Sequence, residues 1–484
     1  MPAVPPLSDH LKPPILSNSP PPASSPVPSS RLSRLARLGS LATGVAGNML
    51  MEGARQLAQG KRPRLSDLLL TPANARKITQ QLARMRGAAM KVGQLISMDA
   101  GDLLPPEMAD ILARLRSDAQ AMPARQVQAV LTANWGAKWQ QRFEPFSFTP
   151  IAAASIGQVH RAKTKDGRDL AIKIQYPGVR KSIASDVNNV ATLLRLSGLL
   201  PKSLDIAPLL LEAKNQLREE ADYQSEGEHL QRFAKLLADS PAFVVPKLHA
   251  DLTTKNVLAM SFVGGVPVES MVHAPQAERD RIVSLLVGLL FRELFEFGLM
   301  QTDPNFANYR YDPKTKQLIL LDFGATRSFA PALAQGYRQV IASALSNDRA
   351  AMAQAALAIG YFDANTLPRH QAAVLDMFEM ALAPLRTDKN FDFGATDMVQ
   401  RLRKAGIALG LEREFWHIPP VDTLFLHRKL GGLYLLAARL QARVNVQQLV
   451  RPFLWQPGNA MPAPLATTMQ DRDSTFVQRL AEDF

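Results

Sequence analysis

A chain of two lobes, one built on a small sheet and the other mostly helical, is predicted from three features of the sequence. The first is a strand, bend and strand: P-I-A-A-A-S-I-G-Q-V-H-R-A, the turn Lys165-Asp166-Gly167, then D-L-A-I-K-I-Q-Y carrying Lys173. The second is Q-T-D-P-N-F-A-N (301–308), in which Asn308 follows Asp303 by five positions. The third is D-F-G (322–324), reached through a hydrophobic strand. A carboxylate with an Asn at that offset, followed by a strand closing on Asp-Phe-Gly, is how the protein-kinase α+β fold gathers one base and two metal ligands around a nucleotide. Mg-ATP is therefore the expected ligand.

Composition sets the outer bounds. With 484 residues, 46% of them hydrophobic, the chain has material for one large or two modest domains. Its formal charge of +13 suits nucleic acid, an anionic lipid surface or phosphate-rich ligands, and the sign alone does not choose among them. Arg31, Arg34, Arg37, Arg55, Lys61, Arg62, Arg64, Arg76 and Lys77 crowd the first eighty residues, where Asp9, Glu52 and Asp67 are the acids. The absence of cysteine excludes disulfides, thiolate catalysis and Cys-ligated metal sites. No apolar run reaches the roughly 18 residues of a membrane-spanning helix; Gly39–Met51 is too short and contains Asn48.

Along the chain, residues 1–30 are dominated by Pro and Ser and are expected to form a disordered leader. In the next stretch Leu32, Leu35, Leu38 and Leu41 share one stripe and Arg31, Arg34 and Arg37 a neighbouring one. That basic amphipathic helix fits packing on the body, attachment to an anionic membrane, or a cleavable presequence. Thr71-Pro72 opens a helix expected to run to about Met98, with Lys91 and Gln94 on one face and Gly93 between them. Small residues at Ala152, Ala153, Ala154, Ser155 and Gly157 suit a loop lying close over phosphates, although only Gly157 keeps the glycine usual there. Lys173 needs a carboxylate partner, and a helix expected over 207–237 offers Glu219, Glu220, Asp222 and Glu226. F-V-V-P-K-L and K-N-V-L-A-M-S-F-V-G-G read as two further strands, the second leaving through glycines where a hinge between lobes belongs. A helix follows from Arg279 to Met300, then a hairpin over Tyr309–Asp322, then helices to about Val450.

In the order they occur, K-V-G-Q (91–94), A-A-A-S (152–155), A-I-K (171–173), E-A-D (220–222) with Glu226, Q-T-D-P-N-F-A-N and D-F-G resemble the UbiB family of atypical kinases over about residues 31–450. The resemblance implies an N-terminal helical extension (31–125), a kinase-like N-lobe (126–263), a helical C-lobe (264–455) and a tail (456–484). It pairs Lys173 with Glu226, makes Asp303 the catalytic-loop carboxylate, assigns Asn308 and Asp322 to Mg²⁺, and lines the adenine hinge with Met260, Ser261, Phe262 and Val263. It also gives Lys91, Gly93, Gln94, Glu220 and Asp222 a regulatory role, Lys91 reaching toward the two acids across the place where a protein substrate would enter. The function implied is ATP hydrolysis or phosphoryl transfer in support of ubiquinone biosynthesis. The expected partners are an adenine nucleotide, a quinone-like lipid or phenolic precursor, an anionic membrane surface met peripherally and other ubiquinone-biosynthesis proteins, with no nucleic acid. The expected location is the cytoplasm, or the mitochondrial matrix in a eukaryote, on the inner face of a membrane. A nucleotide-gated scaffold and a true kinase are the alternatives.

Overall fold

The computed structural model describes residues 121–454, apart from 155, 197–206, 304, 411 and 413–418, together with positions 88 and 92. The basic helix at 31–41, the motif residues Lys91, Gly93 and Gln94, Ser155 and the tail from 456 lie outside the described residues.

Positions 88 and 92 are helical, and the first helix described over its whole length, α1 (Ala124–Trp135), ends at Gly136, whose φ of 84° favours glycine. Behind it Trp135, Trp139, Phe143 and Phe146 pack ring on ring, with Trp135 stacked on Phe143 at 5.3 Å. This aromatic cluster underlies an antiparallel sheet ordered β1 (Ala152–Ala153), β2 (Gly157–Lys163), β3 (Asp169–Gln175) and β5 (Val257–Ser261). Alternation along β3 decides where its lysine goes. Leu170, Ile172 and Ile174 join the aromatic cluster, so Ala171 and Lys173 face the opposite side, toward the second lobe. The turn between β2 and β3 closes with Gly167 N–H donating to the Thr164 carbonyl, and Gly167 takes φ 89°.

The helix expected over 207–237 is two helices. α3 (Ala207–Glu220) stops, and α4 (Tyr223–Leu236) restarts with Asp222 as N-cap, its carboxylate accepting from Ser225 N–H at 3.3 Å. α2 (Val179–Leu196) packs on α3. A second sheet, β4 (Phe243–Val244), β9 (Gln317–Leu320), β8 (Tyr309–Asp312) and β6 (Val266–Pro267) in that order, contains the expected hairpin and one parallel pair, β4 with β9.

The helix expected to reach Met300 stops earlier. α5 (Gln276–Arg292) loosens into a π-helical turn over Glu293–Phe297, and Gly298 at φ 56° turns the chain into β7 (Leu299–Gln301). β7 pairs antiparallel with β10 (Thr326–Ser328), so the segment after Gln301 and the segment before Thr326 emerge side by side. The remaining helices are α6 (Pro331–Ser346), α7 (Arg349–Ile359), α8 (Pro368–Ala381), α9 (Met398–Gly410), α10 (Val421–Arg439) and α11 (Val446–Leu454), with β11 (Phe391–Asp392) and β12 (Arg443–Val444) paired between them. α5 and α10 lie in the middle of the larger core. No helix among the described residues is long and apolar enough to cross a membrane.

Candidate active site

Lys173 lies where the lobes meet. Its ammonium donates to Glu226 Oε1 at 2.5 Å and to Asp322 Oδ2 at 2.8 Å, joining β3, α4 and the D-F-G segment through one charge. Glu226 is selected among the four acids by the stripe it sits on. Tyr223, Gly227, Leu230 and Phe233 form the buried face of α4, and Glu226 shares that face. Asp222 is spent on the helix cap and lies 3.7 Å from Arg180. Glu219, outside the cleft, pairs with Arg327 at 2.9 Å. Burial lifts the Glu226 carboxyl to about 7, with the Lys173 charge opposing and Asp322 adding to the rise. Burial alone would lower Lys173; the Asp322 and Glu226 carboxylates outweigh it and hold the ammonium protonated.

Opposite this pair is the segment between β7 and β8. Thr302 donates both its N–H (3.0 Å) and its hydroxyl (2.8 Å) to the Ala325 carbonyl, stapling the start of the segment to the residue after Gly324. Asn305 turns the chain by accepting from Ala307 N–H, and Leu321 N–H donates to the Asn308 carbonyl at 3.0 Å. Asn308 Nδ2 donates to Asp303 Oδ2 at 3.3 Å. That bond uses the amide nitrogen, and the amide oxygen is the side chain's other polar atom. Asp322 Oδ1 accepts from Gly324 N–H at 3.0 Å while its other oxygen meets Lys173. The structure therefore brings Lys173, Glu226 and Asp322 into direct contact and places Asp303 and Asn308 on the adjoining backbone.

Comparison with known proteins gives the same frame. The family model for the ABC1 atypical kinase-like domain matches residues 114–356. The mitochondrial atypical kinase COQ8 of Saccharomyces cerevisiae is 39% identical over 430 residues, spanning 88% of this chain and 85% of the relative. The chain belongs to the UbiB family of atypical kinases. The mitochondrial atypical kinase COQ8B of Rattus norvegicus is 37% identical to this UbiB protein over 446 residues, covering 91% of the chain and 84% of the relative. Among solved structures, the Rv3197–erythromycin complex from Mycobacterium tuberculosis is similar with a TM-score of 0.54 and 25% identity, over 79% of this chain and 95% of that one.

In this UbiB protein the small-residue loop is closed on itself. β1 pairs with β2 through Ala152 opposite Val159 and Ala153 opposite Gln158, and Ala154 N–H donates to the Gly157 carbonyl at 3.0 Å. That N–H is not available to a phosphate. Gly157 is required for a different reason from ligand approach: a Cβ there would lie 2.3 Å from the Ile174 carbonyl oxygen and 3.0 Å from the Tyr223 hydroxyl. Gly157→Ala is expected to cost about 3 kcal/mol, since the obstacle is sheet backbone that cannot step aside. A urea titration reads it, and an unchanged midpoint would reject the steric account. Tyr223, which sequence reasoning passed over, is buried with its hydroxyl unpartnered among the described residues, beside Lys173.

The hinge residues divide. Met260 is buried and paired with Ala171 across the sheet. The Ser261 hydroxyl bonds His249 at 3.2 Å, and the Phe262 ring lies under the Arg161 guanidinium at 3.9 Å. Both side chains are engaged by neighbouring protein groups, and so are the backbone N–H groups, Ser261 donating to the Lys247 carbonyl and Phe262 to the Asp169 carbonyl, each at 2.9 Å. Among the described residues no three His, Cys, Asp or Glu side chains form a metal cage. Mg²⁺ does not require one, because it binds through one or two protein oxygens, keeps waters and takes the rest from phosphates. Asp322, 34% exposed, and the Asn308 amide oxygen are a donor set that fits.

Proposed function

We propose that this chain binds Mg-ATP between its lobes and uses it as an ATPase or small-molecule kinase in support of ubiquinone biosynthesis, acting on or beside lipid-like quinone intermediates rather than on proteins. The observation that carries the reading is the single ammonium of Lys173 shared between Glu226 and Asp322. Lys173 would turn to the phosphates when Asp322 and Asn308 take Mg²⁺, and Glu226 would keep it in place. Bound Mg²⁺ would neutralise charge on the β- and γ-phosphates. Asp303 would orient the attacking hydroxyl or water, its own position fixed through the Asn308 amide.

The closed small-residue loop favours slow turnover, since it offers the phosphates one backbone donor fewer than an open loop would. The regulatory reading of Lys91, Gly93 and Gln94 toward Glu220 and Asp222 belongs to the same proposal, as does division into leader (1–30), helical extension (31–125), N-lobe (126–263), C-lobe (264–455) and tail. The names of the yeast and rat relatives support a mitochondrial setting for a eukaryotic chain. Contact with an anionic membrane would be peripheral, through the basic arm at 31–41.

Asp303→Asn tests the chemistry. Phosphate release is expected to fall about 10²- to 10⁴-fold with Mg-ATP affinity nearly unchanged. The same variant should fail to restore the quinone pool of cells lacking the chain. Full restoration by Asp303→Asn, with the nucleotide-binding variant Lys173→Met inactive, would favour a nucleotide-gated scaffold instead.

A further inference from the structure

Below the cleft lies a buried ion pair that the proposed chemistry does not use. Lys429 on α10 and Glu293 in the π-helical turn are 3% and 1% exposed, with Nζ and Oε2 3.4 Å apart. Isolated burial of two charges is costly, and apolar residues of equal volume would commonly be as stable or more so. What the pair touches is specific. The Lys429 ammonium donates to the Gln301 carbonyl at 2.7 Å, to Gln301 Oε1 at 3.2 Å and to the Tyr309 hydroxyl at 2.8 Å. Glu293 Oε1 accepts the Gln301 N–H at 3.2 Å.

Gln301 is thus held at both its N–H and its carbonyl by opposite charges, two residues before Asp303. Tyr309, the residue after Asn308, is held by the same ammonium. One charge closes both ends of the segment that carries Asp303 and Asn308. Glu293 opens the π-helical turn that ends α5, a rare geometry that recurs at functional sites.

We propose that Lys429 and Glu293 are positioning residues that fix the geometry of the Asp303–Asn308 segment from beneath; the catalytic part of this inference rests on the ATP chemistry proposed above. The pair would act through Gln301 and Tyr309.

The test is the charge-neutral double variant Glu293→Gln/Lys429→Met, which keeps side-chain volume and leaves no buried charge alone. Its stability is expected to fall modestly, because Met leaves the buried Gln301 and Tyr309 oxygens without this donor, while no buried charge is left unpaired. Mg-ATP affinity should stay within about twofold while turnover per folded molecule falls about 10- to 100-fold, the scale of an ångström-sized misplacement. Independently of turnover, amide exchange over 299–309 should quicken about tenfold while α5 and α11 keep their protection. Unchanged exchange and unchanged turnover in the folded double variant would overturn the inference, as would exchange that rises equally through the whole lobe. If wild type shows no Asp303-dependent turnover and exchange still quickens only at 299–309, the positioning role stands and the proposed chemistry fails.

Discussion

Lys173→Met is expected to abolish Mg-ATP binding and to destabilise the ligand-free protein by about 3–5 kcal/mol near neutral pH. The substitution leaves Glu226 buried beside Asp322 with no cation between them. The pH dependence follows from Glu226. Its folded carboxyl is raised to about 7 from an ordinary 4.5, chiefly by burial. A raised pKa contributes stability that is fully present below the unfolded value and is lost as pH rises through the folded one. Wild type should therefore gain from this group on going from pH ~8 to pH ~5, and the Met variant should gain more, because the lysine that opposed protonation is gone. Urea midpoints at the two pH values read the slope. Glu226→Gln should flatten it, and an unaltered slope in that variant would remove Glu226 as its source.

Asp322→Asn is expected to weaken Mg-dependent ATP binding by about 100-fold or more while sparing the binding of ATP in chelator. The contrast arises because Asp322 does two things in the ligand-free cleft: one oxygen holds Lys173 and the other holds Gly324 N–H. An Asn side chain can still accept from Gly324. Without the carboxylate charge its amide oxygen holds the ammonium and a divalent ion far more weakly, and Lys173 retains Glu226 as its partner. Calorimetric titration with Mg-ATP and with ATP in chelator separates the two contributions. Equal losses in both titrations would mean that Asp322 shapes the cleft rather than binding metal.

Much of this was legible in the sequence because the relevant spacings are local. Asp303 and Asn308 share one short segment, Asp322 follows one strand by two residues, and alternation along β3 fixes the face that Lys173 occupies. Helical spacing over a single helix at 207–237 does not resolve the choice among Glu219, Glu220, Asp222 and Glu226. The break at Ala221–Asp222 changes the phase. A usable signal was present: Tyr223, Leu230 and Phe233 lie three before, four after and seven after Glu226. The early end of the 279–300 helix was hidden because Leu299–Gln301 is apolar enough for either structure, and pairing with β10 decides. Lys429 could not be read at all. Its partner Gln301 is 128 positions away, and a lone lysine in an amphipathic helix ordinarily faces water.

The two lobes are joined by bonds of unlike character. At the rim, Glu219 meets Arg327, whose guanidinium also lies 3.7 Å over the Phe425 ring. That rim contact is reached by solvent ions, whereas the Lys173 cluster is largely shielded from them. Ionic strength therefore acts on the mouth of the cleft more than on its floor, so that electrolyte can slacken the outer clasp while the inner charge cluster keeps its grip.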